Sequence, residues 1–307
     1  FLIKKIKIFF IKKIKDIDFQ KDFEKFLEKK KPDIVDVKIE NFYLNGSLAN
    51  NIKFIGRSHG IFYEINETEK KNILSFLSHA HKIILPHNGD LETLKLLDEN
   101  LFKKNKNKIS IIPSFIDQKL YDILTRSIND ILTSYKKNEI VFLGSWSIRK
   151  GSNYIPEIVK RILKDNANIK FLFLGAHVDK KEILSSFKEN EKKNYYNKIT
   201  IVRNFNKYQN LKKLLKNAKL GIMPSNFEGS PSGLLELISS SIPTVCFNLP
   251  GIRDILEPFA KDLLVEKKNI DEFQFKVNKL ISLNERDFMT LSKKVKDRSK
   301  YFLESNV

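Results

Sequence analysis

The sequence has few of the residues on which disulfide frameworks, metal centres and membrane spans depend. Its 307 residues include one cysteine and five histidines. A disulfide framework and a Cys/His zinc site are therefore excluded. No stretch approaches the roughly 18–20 apolar residues of a transmembrane helix. We expect a cytoplasmic protein, with any membrane role limited to peripheral attachment at the inner face of the cell membrane.

Arginine is scarce although the chain is strongly basic. Lysine and arginine total 56 against 37 acidic residues, for a net charge of +19, yet only eight of the basic residues are arginine. Sequence-specific recognition of phosphates and bases relies on arginine. We therefore expect no nucleic-acid partner. Diffuse lysine charge suits an anionic membrane surface or an anionic lipid acceptor better.

The first fifteen residues combine apolar and basic positions. Apolar residues at 3, 6, 10 and 14 fall on one helical face, and lysines at 4, 5, 12 and 15 lie on another. This spacing predicts an amphipathic helix. Two interpretations stay open, a basic helix lying on a membrane surface or a helix docked on a domain.

From residue 32 onward, short apolar runs alternate with helical stretches. This alternation predicts parallel sheets covered by helices on both faces. The length suits two domains of about 150 residues each. The predicted strands are 33–39, 52–58, 82–85, 109–112, 140–144, 171–175, 199–202, 220–224 and 244–247. The predicted helices are 67–78, 91–100, 153–163, 180–192, 208–217 and 234–241.

The stretch from Ser225 to Glu236 is the most informative in the chain. It places Glu228 and Glu236 eight positions apart, among glycines and hydroxyl residues, between an apolar strand and a helix. A strand that turns into a helix through small residues leaves backbone N–H groups free at the helix start. Such a helix start is an anion-binding site. Gly229 and Gly233 would let a ligand approach the backbone.

This pattern resembles the E-x7-E signature of the retaining, nucleotide-sugar-dependent glycosyltransferases of family 4. The resemblance implies an α/β protein of the GT-B fold, with two Rossmann-like domains facing a cleft. It divides the chain into an acceptor-side domain at 1–117, incomplete at its start, a linker helix at 118–138, and a nucleotide-sugar-binding domain at 139–307.

The resemblance also implies roles for individual residues. Glu228 would hold the sugar, Lys150 would neutralise the donor pyrophosphate and the leaving nucleotide, and His59 would contact the sugar from the first domain. These three are the predicted catalytic residues, and Glu236 would accept from the ribose hydroxyls. The predicted donor-binding residues are Gly144, Arg149, Lys150, Gly229, Ser230, Ser232, Gly233, Leu234 and Glu236.

One position departs from the family. Ser145 stands where the family commonly has an arginine directly after the strand glycine, and we expect Arg149 to supply that charge from further along the loop. Lys150 and helix N-terminal amides can take the phosphate charge, so the reaction is expected to need no metal and no other cofactor.

The predicted function is retaining transfer of a sugar from a nucleotide-sugar donor to a glycan or lipid-linked acceptor, in the synthesis of cell-envelope polysaccharide. Two alternatives stay open. One is a catalytically incomplete GT-B protein that only binds nucleotide-sugar. The other is a basic peripheral module that binds a membrane or another polyanion.

Overall fold

A computed structural model describes residues 8–10, 25, 27, 29, 32–39, 43–44, 46–58, 60 and 65–306. The chain divides into two compact units, Phe1–Pro113 and Ser114–Val307. Each unit contains one sheet whose described strands all pair in parallel. The predicted α/β fold with parallel sheets is therefore confirmed. The predicted linker helix, 118–138, lies within the second unit.

The first unit is a five-stranded sheet with helices between its strands. The strands follow one another in sheet order: β1 (Ile8–Phe10), β2 (Ile34–Lys38), β3 (Lys53–Arg57), β4 (Lys82–Leu85) and β5 (Ile109–Ile111). The helices are α1 (Gly46–Asn51), α2 (Glu67–His79), α3 (Asn88–Leu97) and α4 (Glu99–Asn105). The core includes the fully buried rings of Phe54 and Phe76.

The predicted amphipathic helix over residues 1–15 is wrong at residues 8–10. These residues form β1, which pairs in parallel with β2, with Ile8 opposite Ile34 and Phe10 opposite Asp36. Residues 8–11 are a continuous apolar run, which is typical of a buried parallel strand. The other residues of the predicted helix lie outside those that the structure describes.

The second unit is a six-stranded sheet. In chain order its strands are β6 (Glu139–Leu143), β7 (Lys170–Leu174), β8 (Ile199–Val202), β9 (Ala218–Met223), β10 (Thr244–Phe247) and β11 (Leu264–Val265). Its helices are α5 (Gln118–Leu124), α6 (Ile128–Lys137), α7 (Ile155–Asp165), α8 (Lys180–Ile183), α9 (Glu189–Tyr195), α10 (Lys207–Leu214), α11 (Ser232–Ser239), α12 (Pro250–Leu256), α13 (Ala260–Leu263), α14 (Ile270–Ile281) and α15 (Glu285–Ser299).

Two helices that the sequence predicts as single are each divided. The predicted helix 118–138 is α5 and α6, because Ser127 starts a new helix by accepting from the Asp130 N–H while Asp130 accepts from the Ser127 N–H. The predicted helix 180–192 is α8 and α9. Between them Phe187 turns into the core, where it is 4% exposed.

The strand order of the second sheet determines where a ligand site can form. The order is β11-β10-β9-β6-β7-β8, so the chain leaves β6 on one side and later returns to its other side as β9. Every residue of β9 and β10 is buried, as expected for central parallel strands covered on both faces. In open α/β sheets, ligands bind outside the carboxyl ends of the strands at such a reversal. Here those ends are Leu143 and Met223.

Candidate functional site

The loops that follow β6 and β9 meet at this reversal. The start of α11 packs on the end of β6, since a Cβ at Gly233 would lie 3.2 Å from the Leu143 carbonyl oxygen. The loop after β6 contacts the loop after β9 at Gly151. This residue has φ +86°, and a Cβ there would lie 2.0 Å from the Pro224 carbonyl oxygen. Gly151 therefore allows a backbone approach that a side chain would prevent, and Gly233 allows one that a side chain would crowd.

Glu228 is the centre of a buried charge cluster between these loops. Its side chain is 4% exposed. One oxygen, Oε1, accepts from Lys150 Nζ at 2.6 Å and from Ser225 Oγ at 2.7 Å. The other, Oε2, lies 3.4 Å from Arg149 Nη1. Two cations thus converge on one carboxylate.

The two cations differ in their surroundings. The Lys150 side chain is 15% exposed and the Arg149 side chain 50%. Lys150 lies in a short 3-10 turn, Ile148–Lys150, and its charge acts in a drier environment, where it is screened less. The structure therefore brings together three of the predicted residues, with Lys150 as the closest cation to Glu228.

Asn226 ties the two loops together. Its side-chain amide donates to the Ile148 carbonyl at 2.7 Å and to Asn153 Oδ1 at 3.1 Å. Its own Oδ1 accepts from the Tyr154 hydroxyl at 3.0 Å, and its backbone N–H donates to the Arg149 carbonyl at 2.9 Å. These four bonds hold the backbone of the loop that carries the two cations.

The start of α11 presents backbone donors. Leu234 and Leu235 donate to the Pro231 carbonyl at 3.0 and 3.3 Å. Within the part of the chain that the structure describes, the N–H groups of Ser232 and Gly233 have no acceptor. Donors at a helix N-terminus, with the helix dipole behind them, favour an anion such as phosphate.

Glu236 lies one turn into α11 and is also buried, with its side chain 4% exposed. Its Oε1 contacts Nζ of Lys207, the first residue of α10. Its Oε2 is buried without a hydrogen-bond partner among the described residues. Burial raises the pKa of Glu236, and the charges of Lys207 and Lys150 act in the opposite direction.

The remaining predicted site residues have different surroundings. Gly144 follows β6, and its N–H donates to the Leu174 carbonyl at 2.9 Å. Ser230 Oγ accepts from the Ser114 N–H at 2.9 Å. The Leu234 side chain is fully buried in the core. Gly229 lies in the loop between β9 and α11. His59 lies outside the described residues.

The family of the chain follows from a match over more than half of its length. The sequence profile of the glycosyl transferases group 1 matches residues 123–298. The chain belongs to this family. The predicted resemblance and the predicted enzyme class are therefore confirmed. The matched region contains the loops after β6 and β9 and both glutamates.

Curated and solved proteins are similar to this group 1 glycosyl transferase. It is 23% identical over 299 residues to UDP-Gal:alpha-D-GlcNAc-diphosphoundecaprenol alpha-1,3-galactosyltransferase of Escherichia coli, covering 92% of this chain and 74% of that enzyme. It resembles TarM of S. aureus, solved with fondaparinux, alpha-GlcNAc-glycerol and UDP, with TM-score 0.65 and 17% identity over 89% of this chain and 54% of TarM. The chain thus spans about half the length of TarM.

A third similarity is to HepE of Anabaena in complex with UDP and glucose. The TM-score is 0.68 at 12% identity, and the match covers 91% of this chain and 76% of HepE. At these identities, the likeness to TarM and HepE shows the fold.

The described residues of this glycosyl transferase offer neither a metal-binding cluster nor a membrane-spanning helix. They contain no group of three or more His, Cys, Asp or Glu side chains placed to hold a metal ion. They also contain no helix with the length and apolar character needed to span a bilayer. The metal-independent reaction stays a prediction.

The sequence motifs missed Lys207, Ser225, Asn226 and Tyr154. Lys207 had no signal, because it is one lysine in a lysine-rich chain and lies 29 positions before Glu236. Ser225 and Asn226 lie inside the motif stretch, and their polar side chains next to a buried strand were the signal that could have identified them.

Proposed function

We propose that this chain transfers a sugar, with retention of anomeric configuration, from a nucleotide-sugar donor to a glycan or lipid-linked acceptor in cell-envelope polysaccharide synthesis. The observation that carries the proposal is the Glu228 cluster at the sheet reversal, where Lys150 and Arg149 converge on Glu228 and where α11 begins with two N–H groups that have no acceptor among the described residues. In the reaction, the bond from the sugar to the nucleotide phosphate breaks and a bond to the acceptor oxygen forms. The acceptor hydroxyl loses its proton, which the departing nucleoside diphosphate takes up.

Each part of the donor has a matching group in this site. The N–H groups of Ser232 and Gly233 would bind the phosphates, with Lys150 neutralising charge as the nucleotide leaves. Glu228 would hold the sugar hydroxyls, and Glu236 would accept from the ribose hydroxyls. His59 is proposed to contact the sugar from the first unit. No metal or other cofactor is required by this proposal.

The nature of the acceptor is proposed from the relatives. The E. coli relative is named for transfer to a sugar diphosphoundecaprenol, and another solved neighbour, WaaB, is a lipopolysaccharide outer core galactosyltransferase. The net charge of +19 would draw the protein to an anionic membrane that holds such acceptors. We therefore propose a cytoplasmic enzyme that works at the inner face of the cell membrane.

The proposal is tested by nucleotide binding and then by transfer. UDP at 100 times its dissociation constant should raise the free energy of unfolding by about 2.7 kcal/mol, seen as a higher melting temperature. Nucleoside diphosphates that leave the melting temperature unchanged, together with binding to anionic liposomes, would favour the membrane module instead. Binding of UDP and UDP-sugars without transfer to any lipid-linked or glycan acceptor would favour the catalytically incomplete protein.

Replacing Glu236 with alanine should weaken binding of both UDP and a UDP-sugar, because both carry the same ribose. Loss of a charged hydrogen-bond acceptor is worth roughly 1.5–3 kcal/mol, which is about a 10- to 150-fold rise in the dissociation constant measured by calorimetry. Glu189→Ala is the control, since the Glu189 side chain is 88% exposed. Unchanged UDP affinity in Glu236→Ala would remove Glu236 from the site.

Arg149→Ala tests whether Arg149 supplies the charge that Ser145 lacks. Arg149 is half-exposed and 3.4 Å from Glu228, so its field is screened more than that of Lys150. We expect turnover to fall about tenfold, equivalent to about 1.4 kcal/mol in the barrier. Wild-type turnover of Arg149→Ala in steady-state assays would show that Arg149 supplies no charge to the reaction.

A further inference from the structure

Lys207 contacts Glu236 although the two residues lie on different helices. Lys207 begins α10, which follows β8, and its Nζ meets Oε1 of Glu236 in α11. The lysine side chain is 46% exposed while the glutamate side chain is 4% exposed. The ammonium is thus a solvent-facing group that reaches a buried carboxylate.

Among the described residues, the other oxygen of Glu236 has no hydrogen-bond partner. This oxygen, Oε2, is buried. Buried acceptors are almost always hydrogen-bonded in folded proteins, and one left unsatisfied is costly. An unsatisfied carboxylate oxygen beside a helix N-terminus points to a ligand that carries both an anion and a hydroxyl donor.

Few charges act on this carboxylate. Burial raises the pKa of Glu236, and Lys207 lowers it more than Lys150 does. No ionisable group of α5, α15, β6 or β10, the other elements packed on α11, shifts this pKa. The charge of Glu236 contributes to a raised pKa of the Tyr208 hydroxyl, whose largest cause is its hydrogen bond to Asp117.

We infer that Lys207 is a positioning residue of the donor site, which holds Glu236 as an oriented, ionised acceptor for the ribose hydroxyls. The inference rests on the proposed function of this site. It adds that donor affinity depends on Lys207 of α10, which lies outside the E-x7-E stretch. Lys207 acts through Glu236, and it does not itself contact the donor.

The inference predicts a specific pH dependence. A carboxylate accepts two ribose hydroxyls, whereas a protonated carboxyl is a poorer acceptor. Donor affinity should therefore fall as the pH drops through the pKa of Glu236. Burial raises the pKa of Glu236, and without Lys207 only Lys150 would oppose it. The pKa of Glu236 should then be higher, so that donor affinity begins to fall at a higher pH. Removal of an opposite charge at contact distance shifts a carboxyl pKa by about one unit or more.

The test is calorimetric titration of the full chain with UDP-glucose between pH 5 and pH 8. This ligand is chosen because its sugar blocks the terminal phosphate, so the phosphates do not titrate in this range. Lys207→Gln should move the midpoint of the affinity loss upward by about one pH unit. It should bind as wild type does at pH 8.

Three control variants complete the test. Lys207→Arg keeps the positive charge and should show the wild-type dependence of donor affinity on pH. Lys213→Gln removes the same charge from an exposed position of α10 and should leave the profile unchanged. Glu236→Gln should remove the part of the pH dependence that belongs to Glu236, because that carboxylate can no longer titrate.

The outcomes separate the inference from the proposed function. If the wild-type chain binds none of UDP-glucose, UDP-galactose and UDP, the proposed function fails and the inference fails with it. If the wild type binds and Lys207→Gln keeps the wild-type profile, only the inference is overturned. An equal loss of affinity at every pH would also overturn it, since it would place Lys207 on the ligand. An equal upward shift of the midpoint in Lys213→Gln would show that the effect comes from the net charge of the protein, and this result would also overturn the inference.

Discussion

Lys150→Ala is expected to lower turnover by about two to three orders of magnitude, as removal of a preorganised electrostatic group does in other enzymes. Lys150 lies 2.6 Å from Glu228 with its side chain 15% exposed, so its charge is fixed in a largely desolvated position. We propose that it stabilises the negative charge that develops on the phosphate as the bond to the sugar breaks. Donor affinity should therefore fall less than turnover.

The same variant should also lose stability. A lysine in a loop after a strand would be expected to carry little packing, but Lys150 is a partner of a carboxylate that is 4% exposed. Ser225 and Arg149 remain as partners of Glu228. We expect the free energy of unfolding to fall by about 1–3 kcal/mol, which denaturant titration would measure.

A matched control separates these two effects. Lys219 is 4% exposed in β9, where Nζ donates to the Ile281 carbonyl at 2.9 Å and lies over the Tyr135 ring. Lys219→Ala should destabilise the fold comparably and leave turnover at the wild-type value when assayed below its melting temperature. Wild-type turnover in Lys150→Ala would show that the loop 144–151 does not meet the donor phosphates.

Gly151→Ala is expected to cost about 3 kcal/mol of stability. The residue has φ +86°, a conformation that costs a residue with a Cβ roughly 1–2 kcal/mol. A Cβ would also lie 2.0 Å from the Pro224 carbonyl oxygen, and such overpacking costs about 1–3 kcal/mol more. This contact joins the loops after β6 and β9. The loop that carries Arg149 and Lys150 should therefore move away from Glu228, and turnover should fall.

Gly175→Ala is the control for this substitution. Gly175 has φ +77°, but the nearest atom to its added Cβ is 3.6 Å away, an ordinary contact distance. This variant should lose only the conformational cost of roughly 1–2 kcal/mol. Equal losses in the two variants, measured by denaturant unfolding, would show that the Pro224 contact contributes nothing.

The strands were predictable because their physical signal is local. β4, β8 and β10 begin and end where the apolar runs predict, and the other predicted strands differ by one or two residues at an end. A central parallel strand must be apolar on both faces, so its sequence is a continuous run. At residues 8–10 the same signal competes with a spacing of lysines that favours a helix.

The helix breaks and the partners of the two glutamates were harder to predict. The break before α6 had a recognisable signal, since Ser127 and Asp130 form a capping box. The contact of Lys207 with Glu236 depends on how β8 and β9 are ordered in the sheet, and no local pattern encodes that order. Likewise, Arg149 and Lys150 approach Glu228 from 79 and 78 positions away along the chain.

The central claim is that the Glu228 cluster performs nucleotide-sugar-dependent transfer. The most direct measurement is the anomeric configuration of the product, read by NMR, when the full-length protein is incubated with an α-configured UDP-sugar and a lipid-linked acceptor, alongside Lys150→Ala. The account predicts an α-linked product and release of UDP, with the rate lowered about 100- to 1,000-fold in the variant. A β-linked product, or transfer at equal rates by both proteins, would contradict it.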